Sequence, residues 1–180
     1  MAALFLITAG DETQGLLSRP HAFYQILRRI QIELVPYEIV FGVGYGTLTT
    51  EIGTHAVGAD GPAFHRARDA LEQAKAERKA YGKSLLREVR LHSGDALRDT
   101  VLNAMFLALS VLKSGWSEKQ RRILNRLELG ATPKAIAAQL QVPLSNISRT
   151  VDSAHFREFE ILVDSLVTFS RNSFSGAESK

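Results

Sequence analysis

The chain has 180 residues, 45% of them hydrophobic, which is enough to bury the core of one ordinary domain or of two small ones. It contains no cysteine and only five scattered histidines, which excludes disulfides and thiolate metal sites and argues against a zinc framework. The net charge is +3 but uneven: positions 116–151 hold six Lys or Arg against two Glu, whereas positions 152–180 hold three against five acids.

The apolar stretch at residues 2–9 is too short for a membrane span and has no basic residue before it, so neither a span nor a signal peptide is expected and the protein is placed in the cytoplasm, with no membrane partner. Residues 4–9 read as a buried strand running into the turn Gly10-Asp11-Glu12, and Gln14-Gly15-Leu16-Leu17 as the return strand or the entry to a helix. Phe23, Ile26, Leu27, Ile30 and Leu34 fall at helical spacing, predicting an amphipathic helix over 20–34 that ends before Pro36. Residues 37–50, rich in β-branched and aromatic side chains and interrupted by Gly42, Gly44 and Gly46, predict a strand, a bend and a second strand. Pro62 opens a long charged helix over 62–81 with an apolar stripe of Phe64, Ala67, Leu71 and Ala74, and residues 85–91 read as one more strand.

Everything after the Ser93-Gly94-Asp95 turn reads as helix. Ser117 and Gln120 have the spacing of a capping box, in which hydroxyl and amide satisfy backbone N–H groups that no helical carbonyl can reach. The helix they open carries Ile123, Leu124 and Leu127 inward and stops at Gly130. Thr132-Pro133 caps and starts a short helix that buries Ile136, Ala137 and Leu140; Gln141-Val142-Pro143 turns the chain sharply, and Ile147 and Val151 face inward from the next helix. Two short helices joined in this way are a helix-turn-helix, here at 117–151. The string from Thr132 to Val151 resembles bacterial regulators in which a small residue at the position of Ala137 lets the two helices touch. By that resemblance Leu144, Ser145, Asn146, Ser148 and Arg149 point outward from a recognition helix. Asn and Arg can read base edges and serines can hold phosphates, while Lys119, Arg121, Arg122 and Lys134 add backbone contacts. Pro143 departs from the capping serine common at that position.

Four segments taken together resemble the SatD family over nearly the whole chain: Ile7-Thr8-Ala9-Gly10-Asp11-Glu12-Thr13-Gln14-Gly15-Leu16-Leu17; Gly42-Val43-Gly44-Tyr45-Gly46; Gly61-Pro62-Ala63-Phe64-His65-Arg66-Ala67-Arg68; and Gly115-Trp116-Ser117-Glu118-Lys119-Gln120. The N-terminal half is also similar in outline to class III nucleotide cyclases, which present an aspartate on a Gly-Asp hairpin to magnesium. That similarity implies Asp11 as a magnesium ligand and a nucleotide pocket of Gly10, Asp11, Gly44 and Arg68, with Mg as its cofactor. The strand that would bring a second metal aspartate is expected to be missing, one carboxylate cannot build a two-metal site, and Arg68 falls one residue, about 100° of helix, from the cyclase arginine. The pocket is therefore expected to be catalytically silent, sensing a ligand at most; read without the resemblance, Asp11 is a turn residue.

The expected fold is α+β: a truncated ferredoxin-like, nucleotide-cyclase-like sheet with helices over 1–94, a helical domain with the helix-turn-helix over 95–171, and a disordered tail at 172–180. A last helix with Phe156, Phe159, Leu162, Val163, Leu166 and Phe169 at helical spacing offers an apolar face for packing or pairing, and a homodimer would suit a reader of paired half-sites. The expected function is DNA binding in transcription regulation, without catalysis. The alternatives are a magnesium-dependent nucleotide enzyme and a protein-interaction adaptor.

Overall fold

The computed structural model describes residues 3–9, 12–19, 22–50, 60–82 and 88–174. Strands β1 (Ala3–Ala9) and β2 (Glu12–Leu16) form an antiparallel hairpin in which Leu6 stands opposite Gln14. Helix α1 (Phe23–Glu33) follows. Strands β3 (Phe41–Gly44) and β4 (Val89–His92) then pair in parallel, which requires a crossover, supplied by α2 (Pro62–Tyr81). Five helices complete the chain: α3 (Ala96–Ser114), α4 (Glu118–Glu128), α5 (Pro133–Leu140), α6 (Leu144–Ser153) and α7 (Phe156–Phe174). The fold is mixed α+β and mostly helical, and the described strands stand in two separate pairs rather than in one ferredoxin-like sheet. No described helix is long and apolar enough to cross a membrane.

The alternation of side chains along β3 and β4 sorts the molecule into layers. On one face Gly42 and Gly44 meet α2 so closely that a Cβ at Gly44 would lie 1.9 Å from the carbonyl oxygen of Ala63, and one at Gly42 would lie 2.3 Å from that of Ala67. The helix answers with its own small residues: Ala63, Ala70 and Ala74 are its buried positions, whereas Phe64, expected in the buried stripe, is only half-buried. The same face of β4 carries Arg90, bonded to Gln73 and Glu77 of α2. On the opposite face Val89 and Leu91 enter the main core with Phe23, Tyr24 and Leu27 of α1, Leu102, Phe106 and Leu109 of α3, and Phe159 and Leu166 of α7.

The second strand expected within 37–50 does not form. The backbone there serves the start of α2 instead: the Thr47 carbonyl accepts from the Ala63 N–H at 3.3 Å, and the Thr49 N–H donates to Asp60 at 2.9 Å. The outer edge of β4 is closed by a side chain. Asn103 of α3 accepts from the Leu91 N–H and donates to the Leu91 carbonyl, both at 2.8 Å, as a neighbouring strand would.

The main core extends on both sides of residue 94, and α7 continues past Asn172 to Phe174, where a disordered tail was expected. Phe174 is buried, with the Arg98 guanidinium 4.7 Å from its ring centre, which anchors the last turn. Of the apolar residues of α7, Phe156, Phe159 and Leu166 are buried within this chain, Leu162, Val163 and Phe169 are half-buried, and Ile161 is exposed.

Candidate nucleic-acid interface

Helices α4, α5 and α6 enclose a second, smaller core of Ile123, Ile136, Ala137 and Ile147, flanked by Leu127, Ala131, Leu140 and Val142. Each helix start has a local cause. The Ser117 hydroxyl accepts from the Gln120 N–H at 3.3 Å, and the Gln120 side chain accepts from the Ser117 N–H at 2.8 Å, closing the capping box. Gly130 takes a φ of +88° in the turn after α4, the left-handed region that favours glycine. Thr132 caps α5 by accepting from the Ala135 N–H at 3.2 Å, with Pro133 at the first helical position.

Between α5 and α6 the chain turns at Gln141, a non-glycine residue at φ +53°, and the Val142 N–H returns to the Ala137 carbonyl at 3.0 Å. Pro143 precedes α6 without a side-chain cap; its carbonyl accepts from the Asn146 N–H at 2.9 Å. The fixed φ of proline thus does part of what a capping serine would do.

Ile147 is buried in the small core and holds α6 with one face inward, leaving Leu144, Ser145, Asn146, Ser148 and Arg149 exposed. Lys119, Arg122, Lys134 and Arg149 form no ion pair among the described residues. Arg121 and Arg126 are partly committed, the first 3.4 Å from the Lys113 carbonyl at the end of α3, the second to Gln139 and the Arg122 carbonyl. Of the unit's three acids, Glu128 is neutralised by a two-pronged bond from Arg28 of α1 at 2.7 and 3.0 Å and Asp152 pairs with Arg157 of α7 at 3.2 Å, so positive charge dominates what remains.

Trp116 fixes this unit to the rest of the molecule. Its indole N–H donates to the Ala154 carbonyl at 2.9 Å, and its ring lies 5.1 Å from that of Phe159, joining the α3–α4 corner to the α6–α7 corner. Leu124, on the same helix as Ile123, enters the main core instead of the small one.

Sequence reasoning missed a buried ionic chain beside this joint. Lys113, 4% exposed, pairs with Glu88; Glu88 accepts from Gln31, and Gln31 accepts from Arg28, whose other bonds go to Glu128. Burial lowers the Lys113 ammonium to about 8, with repulsion from Arg28 adding to it and Glu88 opposing. A lysine in the last turn of a helix ordinarily faces solvent, and nothing in its spacing announces the acid that lies 25 positions away.

Of the other set of site residues, Gly44 and Arg68 are among the described ones. Gly10 and Asp11 lie outside the described residues. Gly44 is filled by α2 on its Cβ side, so its lack of a side chain serves strand-helix approach. Arg68 is exposed on α2 near Glu12, whose carboxylate is held below its usual range by a 2.7 Å bond from Lys75. The magnesium expectation therefore rests on Asp11 alone, because its neighbour Glu12 is committed to an ammonium group. Among the described residues no three His, Asp or Glu gather as a metal site.

No curated protein and no solved structure matches the chain. The SatD family model matches residues 1–156, from the hairpin through the three-helix unit to the first residue of α7, and the chain belongs to the SatD family.

Proposed function

We propose that the chain is a DNA-binding protein of transcription regulation in which α4–α6 form a helix-turn-helix and α6 is the recognition helix. The observation that carries this reading is the exposed row Leu144, Ser145, Asn146, Ser148 and Arg149 on a helix anchored by Ile147, close in sequence to cations that form no ion pair among the described residues. Anchoring costs the reading face nothing, since Ile147 and the turn at Gln141 hold α6 from its other side. Asn146 and Arg149 offer the amide and guanidinium that read adenine and guanine edges in the major groove. Lys119, Arg122 and Lys134 are assigned to phosphates, where charge matters more than geometry. The residues before α4 supply the frame that holds the unit, without catalysis.

The test is a titration of the full chain with duplex DNA at two salt concentrations, repeated with Asn146→Ala and Arg149→Ala. Phosphate neutralisation releases counterions, so wild-type affinity is expected to fall steeply with salt. Each substitution should weaken binding to the preferred sequence by about 1–3 kcal/mol while leaving the melting temperature unchanged, because both side chains are exposed. Wild-type-like binding by both variants would show that α6 is not the reading surface. Absence of binding even at low salt would remove DNA altogether in favour of a protein partner.

A further inference from the structure

Asn146 and Arg149 have base edges to read on α6, and Lys119, Arg122 and Lys134 have phosphates, but Leu144 has no role in that assignment. It is the first residue of α6 and is 52% exposed. The fold makes no use of it: the small core is built from Ile123, Ile136, Ala137 and Ile147, with Leu140 and Val142 packed against them, and Leu144 belongs neither to it nor to the main core.

A lone leucine at a protein surface is ordinary. What distinguishes Leu144 is its surroundings. Ser145, Asn146, Ser148 and Arg149 on the same helix are all exposed and polar, so the leucine is an apolar point in a face otherwise made of hydrogen-bonding groups. It also stands at the N-terminal end of α6, the end of a recognition helix from which base edges are contacted.

The major groove offers such a side chain one partner. Guanine, cytosine and adenine present hydrogen-bond acceptors and donors there, and thymine alone adds an apolar group, its C5-methyl. Leucine placed on that methyl removes apolar surface from water on both sides of the contact. Placed on an amino group or a carbonyl, it covers a polar atom to which it cannot bond.

We infer that Leu144 makes the chain selective for thymine: the DNA preferred by α6 carries a thymine whose C5-methyl packs against Leu144, beside the bases read by Asn146 and Arg149. This inference rests on the reading of α6 as a recognition helix and adds a determinant to it. Shape and apolar contact, and not a hydrogen bond, select the base at this position.

The test begins by selecting a preferred duplex from a random pool with the full chain. That duplex is then titrated with deoxyuridine in place of one thymine at a time, which deletes the methyl and leaves every hydrogen-bonding group in the groove unchanged. At one thymine or more the wild type should lose about fourfold in affinity, the worth of one buried methyl group. Leu144→Ala should bind the thymine and deoxyuridine forms of that position alike, while melting as wild type does, because the side chain is exposed. Arg149→Ala binds more weakly overall yet should keep the fourfold preference, which separates loss of methyl reading from loss of affinity. Replacing the same thymine·adenine pair by cytosine·guanine should weaken wild-type binding, and 5-methylcytosine should recover about fourfold of that loss in wild type but not in Leu144→Ala. A duplex that binds tightly and is indifferent to deoxyuridine at every position would overturn the inference while leaving α6 as the reading helix. A methyl preference that survives in Leu144→Ala would overturn it too, by assigning the methyl to another residue. If the chain retains no duplex even at low salt, the reading of α6 falls and the role of Leu144 falls with it.

Discussion

Helix α2 and the α4–α6 unit are both rich in Lys and Arg, yet they use those charges in opposite ways. On α2, Lys75 is bonded to Glu12 and Arg78 to Glu38, and Glu77 of the same helix holds Arg90 of β4, so that charge ties the helix to the strands and loops around it. On α4–α6, Lys119, Arg122, Lys134 and Arg149 form no ion pair among the described residues, and the packing is built around Ile123, Ile136 and Ile147. The difference separates charge that serves the fold from charge left available to a polyanion. It also separates two kinds of close packing, one built on glycine and alanine, the other on branched side chains around a small core.

The sharpest way to break this comparison is at Gly44. A Cβ there would come within 1.9 Å of the Ala63 carbonyl and 2.4 Å of the Ala67 N–H, both backbone atoms that move only if α2 moves. Gly44→Val should therefore cost about 3 kcal/mol or more, at or beyond the upper end of ordinary overpacking, read as a lowered denaturation midpoint. A variant of wild-type stability would show that α2 does not need glycine beneath it, and the expected nucleotide role of Gly44 would regain its interest.

A comparable effect, visible only as a pH dependence, is expected at Lys113, the buried cation that belongs to neither pattern. Its ammonium lies at about 8 in the folded chain and near 10.5 when exposed. Below about pH 8 the group is protonated in both states and the full cost of burying its charge is present. Between about pH 8 and 10.5 the unfolded chain holds a proton that the folded chain has released, so this group raises stability with pH, by roughly 1.4 kcal/mol per pKa unit. Urea titrations of wild type and Lys113→Met across that range should show the wild type gaining on the variant as pH rises. A gap that stays constant or closes would mean that the Glu88 pair, and not burial, governs Lys113.

These particulars explain what could be read in the sequence and what could not. The caps of α4 and α5 and the spacing of Ile123, Ile136 and Ile147 are local patterns, and local patterns survive folding unchanged. The buried face of α2 was foreseen at Ala74 and missed at Ala63 and Ala70 because alanine carries a weak hydrophobic signal, and Ala63 packs for its small size against Gly44, a residue distant in sequence. The same glycine suggested a ligand pocket, since close approach to a helix and close approach to a ligand place the same demand on a strand. The Arg28–Glu128 bond joins residues 100 positions apart, so no spacing rule could reveal it.

The finest test of the comparison sets Lys75→Ala against Lys134→Ala. Both remove one exposed positive charge, and in a protein whose DNA affinity followed net charge alone they would act alike. If the two regions differ as proposed, Lys75→Ala breaks an exposed pair, lowers stability only slightly and leaves DNA binding unchanged. Lys134→Ala should leave stability unchanged, weaken binding evenly across DNA sequences, and reduce the slope of log affinity against log salt by about one. Salt slopes measured side by side decide between the readings. Equal slopes for the two variants would mean that charge is sensed over the whole surface and that the cations of α4–α6 have no special standing; a change confined to Lys134→Ala would place the phosphate contact on the helix that precedes α6.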